Sequence, residues 1–405
     1  MDCRKIKEAG NREAVYMNNG KIRVVIDANK GMIPELSTQY KKGWINSHWQ
    51  PWFRANSPEP WNGTKHSSFW KIPLLYDISG NFPCAPNFGP DNVVNEYNIP
   101  PHGFTAFEQW DQGDPYKSEK SITFTSTLKE GLHPFRYKKT DLLLKNHSIL
   151  YTRLDIQNTG KNNEPYNCGW HNTVGPPFLE SACLIDNNAQ KYSVPAAGTE
   201  FDNTGHLKFG AETDSLKEVP LREGGTIDIR KVPGINGYTD FICGAVPPEC
   251  ELGWASIINP RLKLIYLSFF KGPAVVKKDE IPLYFYDLWM NYGGRPYTPW
   301  AAVDGLTDQT FCLGSENVTG YYANGLNEAI KHPKLLGYPT YLDLKPSEKK
   351  SLYYGTLFQE YEGDIFDDGI FSVKGEIDCL ALESYSGIKM NIPCDFHFAS
   401  LRNDD

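Results

Sequence analysis

Apolar and polar positions alternate with a period of two in short runs along the whole chain. From Lys21 to Asp27, Ile22, Val24 and Ile26 share one face. From Ser121 to Leu128, Ile122, Phe124 and Leu128 alternate with Thr123, Thr125 and Thr127. Successive side chains of a strand point to opposite faces, so each run predicts a strand with one buried face. Leu262 to Phe270 is a more continuous apolar run, the pattern of a strand covered on both faces. Lys350 to Phe358 predicts a further strand. Helical periodicity is confined to the segment Leu326 to Leu336, which Pro333 interrupts. No alternation of strand and helix runs through the chain, so a doubly wound parallel sheet is not expected. The pattern predicts an all-β protein with few short helices.

Two long stretches, Trp44 to Pro101 and Tyr286 to Thr310, mix Gly, Pro, Asn and aromatic residues without periodicity. Long loops over a rigid scaffold are where sites usually sit, so both are expected at the functional end of the fold. There is no internal repeat and no low-complexity tract. Residues 1–405 read as a single large β domain with its core from about Gly20 to Phe358. Residues 361–405 follow the last predicted strand as an appendage, with no linker-like composition before them.

Composition sharpens this picture. Aromatic residues make up 13% of the 405, with 23 Tyr, 21 Phe and 10 Trp, and 35 Gly and 29 Pro punctuate the runs. Such a mixture suits pleated, half-buried surfaces joined by turns. It also suits sugar binding, because an indole or phenol face packs on the C–H face of a pyranose, although a plain aromatic core has the same composition. The formal net charge is −8 without basic blocks, which argues against a nucleic-acid partner. No stretch approaches the roughly 18 apolar residues of a membrane helix. The first residues, Met1 to Lys7, lack the apolar core of a signal peptide, so a soluble, cytoplasmic protein is expected. Nine cysteines spread over the length fit reduced thiols better than a disulfide framework.

Three segments carry candidate chemistry. His102 follows the paired prolines Pro100 and Pro101 and precedes Gly103, eight residues before Trp110. The prolines stiffen the approach and the glycine permits a tight one. His171 lies in Gly169-Trp170-His171-Asn172-Thr173. Taken singly, each reads equally as a loop histidine satisfied by its surroundings. Glu316 leaves an apolar run, Phe311-Cys312-Leu313, and enters a segment bounded by Gly314 and Gly320. Partial desolvation there would raise its pKa toward the working range of a general base; a solvated strand-end carboxylate is the alternative. Neither histidine has zinc-ligand spacing, and Cys243 and Cys250 have no His pair near them, so no metal site is expected.

The order of these pieces resembles the galactose mutarotase-like (aldose 1-epimerase) superfamily from about Gly20 to Phe358. Ser79-Gly80-Asn81-Phe82-Pro83…Pro86-Asn87-Phe88-Gly89-Pro90 is similar to a loop of the hexose-6-phosphate mutarotases. His102-Gly103-Phe104 with Trp110, the Trp170-His171 pair, Trp289-Met290-Asn291-Tyr292-Gly293-Gly294 and the run ending at Glu316 follow in the family's order. Leu342-Asp343-Leu344-Lys345-Pro346-Ser347-Glu348 resembles its closing turn, with Ser347 for the usual Gly. The resemblance implies a β-supersandwich with a sugar cleft over one sheet.

It also implies roles. Glu316 matches the base that takes the proton of the anomeric hydroxyl, His171 the acid at the ring oxygen, and His102 a second, substrate-orienting histidine. At least one of Trp110, Trp170 and Trp289 is expected to be a stacking platform, the alternative being that all three are core, and Asn81, Asn172, Asp287 and Arg295 are the expected further sugar contacts. Neither a metal nor an organic cofactor is required. Two departures bear on the substrate: Ser79 and Ala106 stand where the phosphosugar mutarotases carry arginines. A phosphate without bidentate guanidinium partners loses its best anchors, so an unphosphorylated sugar or a larger glycan is expected, with Arg54, Lys71 and Arg295 as the remaining candidate cations. The leading expectation is an isomerase interconverting sugar anomers. A non-catalytic carbohydrate-binding protein and a polysaccharide lyase or glycan-processing enzyme of the same fold are the alternatives. Oligomeric state is left open.

Overall fold

The computed structural model describes the chain except residues 9–11, 56–58, 129–130, 132, 199–204, 234–237, 294, 296, 301–309 and 403–405. Its strands form antiparallel sheets that do not close into a barrel. The largest has nine strands and includes Ser121–Leu128, Phe135–Leu144, Ile149–Asn158, Leu264–Lys271 and Lys349–Glu360. A seven-stranded sheet contains, in adjacent order, Tyr238–Ala245, Phe285–Tyr292, Cys312–Thr319, Cys168–Val174 and Asn81–Cys84. The strands Asp2–Lys7, Glu13–Asn18, Ile22–Asp27, Glu35–Tyr40 and Gly43–Asn46 make a separate five-stranded sheet, so regular structure begins at Asp2, well ahead of Gly20.

The two large sheets pack face to face. Trp170 stacks on Tyr354 with ring centroids 5.0 Å apart. Between the sheets, Asn172 donates to Tyr354 and accepts from Tyr266 at 3.1 Å. Leu264, Tyr266 and Phe270 join this inner core, whereas Ile265, Leu267 and Phe269 face the opposite way. All eight residues of Leu264–Lys271 are therefore buried, which is why its sequence lost the period-two signal. The outer face of the nine-stranded sheet is covered by the C-terminal strands Ile370–Gly375, Cys379–Ser384 and Lys389–Pro393, through Ile370, Leu380, Leu382 and Ile392.

The stretch Trp44 to Pro101 is not bare loop. Asn62 caps the helix Gly63–Trp70 by accepting from the Lys65 N–H at 3.1 Å. Pro73, pre-set in φ, opens the helix Pro73–Asp77. These helices, with Trp49, Phe53 and Trp300, cover the outer face of the seven-stranded sheet. The predicted helical segment after Leu326 is a helix only over Leu326–Lys331, ending ahead of Pro333. Among the described residues no helix is long and apolar enough to cross a membrane. All nine cysteines are free thiols.

Candidate functional site

Strand register builds the site. His171 pairs with Phe82 on one side. The flanking pairs Trp170–Asn317 and Thr173–Gly314 set His171 opposite Glu316 on the other. Glu316 pairs with Asp287, and Asp287 with Cys243. Directly paired residues of an antiparallel sheet point to the same face. Phe82, His171, Glu316, Asp287 and Cys243 thus form one row across five strands, on the face turned away from the nine-stranded sheet.

Within the row, His171 Nε2 lies 3.1 Å from Glu316 Oε1, and both side chains are buried. Nδ1 of His171 is 2.9 Å from Thr173 Oγ1, and the ring stacks on Phe82 at 4.6 Å. The imidazole is therefore fixed on three sides. Burial drives its pKa well below the ordinary histidine value, and the His102 ring pushes the same way. His102 meets His171 edge to face at 5.1 Å, with its Nδ1 3.5 Å from Cys84 Sγ. Burial lowers the His102 pKa to about 4. Gly103 permits this approach: it has φ +81°, and a Cβ there would stand 2.2 Å from the Ala85 carbonyl oxygen.

These three residues line a cavity of about 250 Å³. Trp289 and Trp300 form an aromatic wall, edge to face at 5.7 Å. The Arg295 guanidinium lies 5.9 Å from the first ring and 5.7 Å from the second, and its Nη1 donates to the Tyr297 hydroxyl at 3.0 Å. Lys71 reaches the same cavity.

The other candidates sit elsewhere. Trp110 is buried in the inner core and donates its indole N–H to the Thr105 carbonyl at 3.1 Å. Trp170 and Asn172 point between the sheets, and Asn81, paired with Asn172, faces the same way. None of these four lines the cavity. Asp287 shares the face of Glu316 but is fully buried, with the Cys243 thiol as its neighbour on the paired strand. Burial raises its pKa to about 7. Arg54 is held by Asp27 and Glu8 in a buried ion network with Arg12 and Asp77. Ser79 and Ala106 are buried and line no part of the cavity. Gly294 of the Trp289 motif and residues 301–309 of the second long stretch lie outside the described residues.

Sequence reasoning missed Trp300, Phe241, Tyr297 and the aliphatic residues around Pro73, all of which line the cavity. Trp300 and Tyr297 lie inside the stretch Tyr286 to Thr310, and Ile72-Pro73-Leu74-Leu75 inside the stretch Trp44 to Pro101, so the two aperiodic stretches were the signal for them, together with a Pro-opened apolar turn at Pro73. Among the described residues no group of three His, Cys, Asp or Glu side chains is arranged to hold a metal ion.

Open antiparallel sheets packed in this way give the chain the β-sandwich fold of solved galactose mutarotase-like structures. Among solved structures, the chain is similar to a candidate aldose 1-epimerase from Klebsiella pneumoniae, with a TM-score of 0.60, 11% identity, and 86% of this chain and 80% of that one covered. It is similar to a galactose mutarotase-like protein from Clostridium acetobutylicum, with a TM-score of 0.56, 13% identity, and coverage of 89% and 99%. A galactose mutarotase related enzyme from Lactobacillus acidophilus gives 0.53, 12%, and 87% and 99%. No family model and no curated protein sequence matches the chain.

Proposed function

We propose that the protein is an aldose 1-epimerase-type isomerase that interconverts the anomers of an unphosphorylated monosaccharide. The observation that carries this reading is the 3.1 Å contact between His171 Nε2 and Glu316 Oε1 at the cavity. In a cyclic sugar, O1 and the ring oxygen O5 are bonded to the same carbon. An acid and a base side by side can therefore address both oxygens at once.

Glu316 takes the proton from O1 as the C1–O5 bond breaks, and the imidazolium of His171 gives its Nε2 proton to O5. The open-chain aldehyde rotates about C1–C2. Closure on the other face of the carbonyl runs both proton transfers in reverse and restores the pair. Thr173 Oγ1 accepts from Nδ1–H of the imidazolium, which keeps Nε2 aimed at the reacting oxygens. Burial opposes the imidazolium while the adjacent carboxylate favours it. Each proton transfer contributes on the order of 10²–10⁴ in rate. His102 orients the sugar, and Trp289 and Trp300 give its C–H face a surface to pack on.

A cavity of about 250 Å³ suits one sugar ring rather than an oligosaccharide, since drug-sized ligands occupy roughly 300–1,000 Å³. The competing reading, a carbohydrate-binding protein without catalysis, is favoured by the same contact, in which His171 and Glu316 satisfy each other. Exchange NMR of the anomeric protons across a panel of free aldoses separates the two. Interconversion above the spontaneous rate supports the isomerase. Line broadening on binding without accelerated exchange supports the binding protein.

A further inference from the structure

One wall of the cavity is unusual for a site that receives a polyhydroxylated ligand. Ile72, Leu74, Leu75 and Ile78 all line it. They come from a single turn around the helix Pro73–Asp77, where spacings of three and four residues bring side chains to one side. The remaining residues of that turn face elsewhere: Tyr76 stacks on His66 at 4.6 Å, and Asp77 accepts from Arg12 at 2.8 Å. Phe241 continues the apolar surface. The polar side chains of the lining come from other segments, with His102, His171 and Glu316 in one group and Arg295, Tyr297 and Thr298 in another, apart from Asp91 and from Lys71, which adjoins Ile72.

A hydroxyl turned toward the aliphatic wall would lose water and gain no partner there, which is costly. A methyl group in that place would be desolvated favourably. An acetamido group would bring an N–H and a C=O to the same wall and fare worse than a hydroxyl. We infer that the site selects a 6-deoxyhexose, a sugar bearing a methyl group where ordinary hexoses carry a hydroxymethyl group. This rests on the isomerase reading and adds the substrate class to it.

The test is a comparison of matched pairs: L-fucose with L-galactose, L-rhamnose with L-mannose, and 6-deoxy-D-glucose with D-glucose. Anomer interconversion is measured as kcat/KM by exchange NMR. A single apolar group in a hydrophobic pocket is worth about tenfold or more in discrimination. The 6-deoxy member of at least one pair should therefore be preferred by about that factor. Leu75→Ser should bring the ratio toward one. Ile72→Ser, at a position 36% exposed and safe for folding, should lower it in the same direction. Equal or better turnover of the hydroxylated sugars, or a ratio untouched by both variants, overturns the inference and leaves the isomerase reading standing. If no sugar is interconverted above the spontaneous rate, that reading fails. The wall is then tested by binding alone, with Glu316→Gln protein and the same pairs in ligand-observed NMR. Absence of any preference for the 6-deoxy member there overturns the inference as well.

Discussion

The carboxylate of Glu316 occupies the space that a side chain at position 314 would fill. A Cβ built on Gly314 stands 2.6 Å from Glu316 Oε1 and 3.1 Å from Trp289 Cβ. The bare backbone of Gly314 thus lets the carboxylate lie back along its own strand, beside His171 and beneath Trp289. Gly314→Ala should displace the far end of a flexible side chain and leave the sheet intact. The expected result is a fall of about tenfold or more in anomer interconversion with thermal stability nearly unchanged. A variant as active as the parent would show that the carboxylate does not need this position.

Glu316→Gln keeps the shape of the side chain and removes the proton acceptor. Interconversion should drop by at least about 10² while sugar binding survives. His171→Asn should have the same effect, because O5 then lacks a donor. The two losses should not add in the double variant, since the groups act on one hemiacetal centre. Stopped-flow polarimetry on the proteins, with binding measured separately, reads all three outcomes.

Trp289 lines the cavity, whereas Trp110 is sealed in the inner core. A bound sugar should perturb tryptophan emission in the parent protein, and Trp289→Phe should remove part of that response, the remainder coming from Trp300 on the same wall. Trp110→Phe should leave it in place. Retention of the full signal in Trp289→Phe would exclude that indole as the packing surface.

Burial lowers the pKa values of His48 and His102 to about 4 from an ordinary 6.5. A folded value below the unfolded one means that unfolding takes up a proton in the interval between them. The contribution of each group to stability is complete above about pH 6.5 and is lost as pH falls toward 4. The limit is on the order of 3 kcal/mol per group. His48→Gln and His102→Gln cannot titrate, so the stability gap between parent and variant should narrow on acidification. Urea midpoints at a series of pH values between neutral and acid measure this; a constant gap would contradict it.

Asp287 titrates in the opposite sense. Its folded pKa of about 7 exceeds the ordinary 3.8 because burial disfavours the charged form. Its stabilising effect is complete below the unfolded value and is lost as pH rises from about 4 to about 7. Asp287→Asn removes the ionisation. The variant should gain stability relative to the parent across that interval and hold the gain above it, to a limit on the order of 4 kcal/mol. A difference in melting temperature that does not change with pH would show that Asp287 stays charged or finds a partner.

The alternation at Ile22–Asp27 and Ser121–Leu128 and the unbroken apolar run before Phe270 were enough to determine strands, and with them an all-β architecture. Those signals are local: period two reports one wet face, and its loss reports two dry ones. The same loss concealed the site. All seven residues of Cys168–Val174 and all eight of Phe285–Tyr292 are buried, so nothing in the sequence distinguishes the face that meets the second sheet from the face that meets the cavity. Trp170 and His171 are neighbours in the chain, yet one stacks on Tyr354 and the other meets Glu316. Motif order singled out His102, His171 and Glu316, and these three line one cavity. Tertiary structure alone set their register, took Trp110, Trp170, Asn81 and Asn172 out of the cavity, and brought Trp300 and the turn around Pro73 into it. Which side chains meet across a sheet depends on the pairing of strands distant in sequence, as Cys168–Val174 with Cys312–Thr319 is here, and no local sequence pattern encodes that pairing.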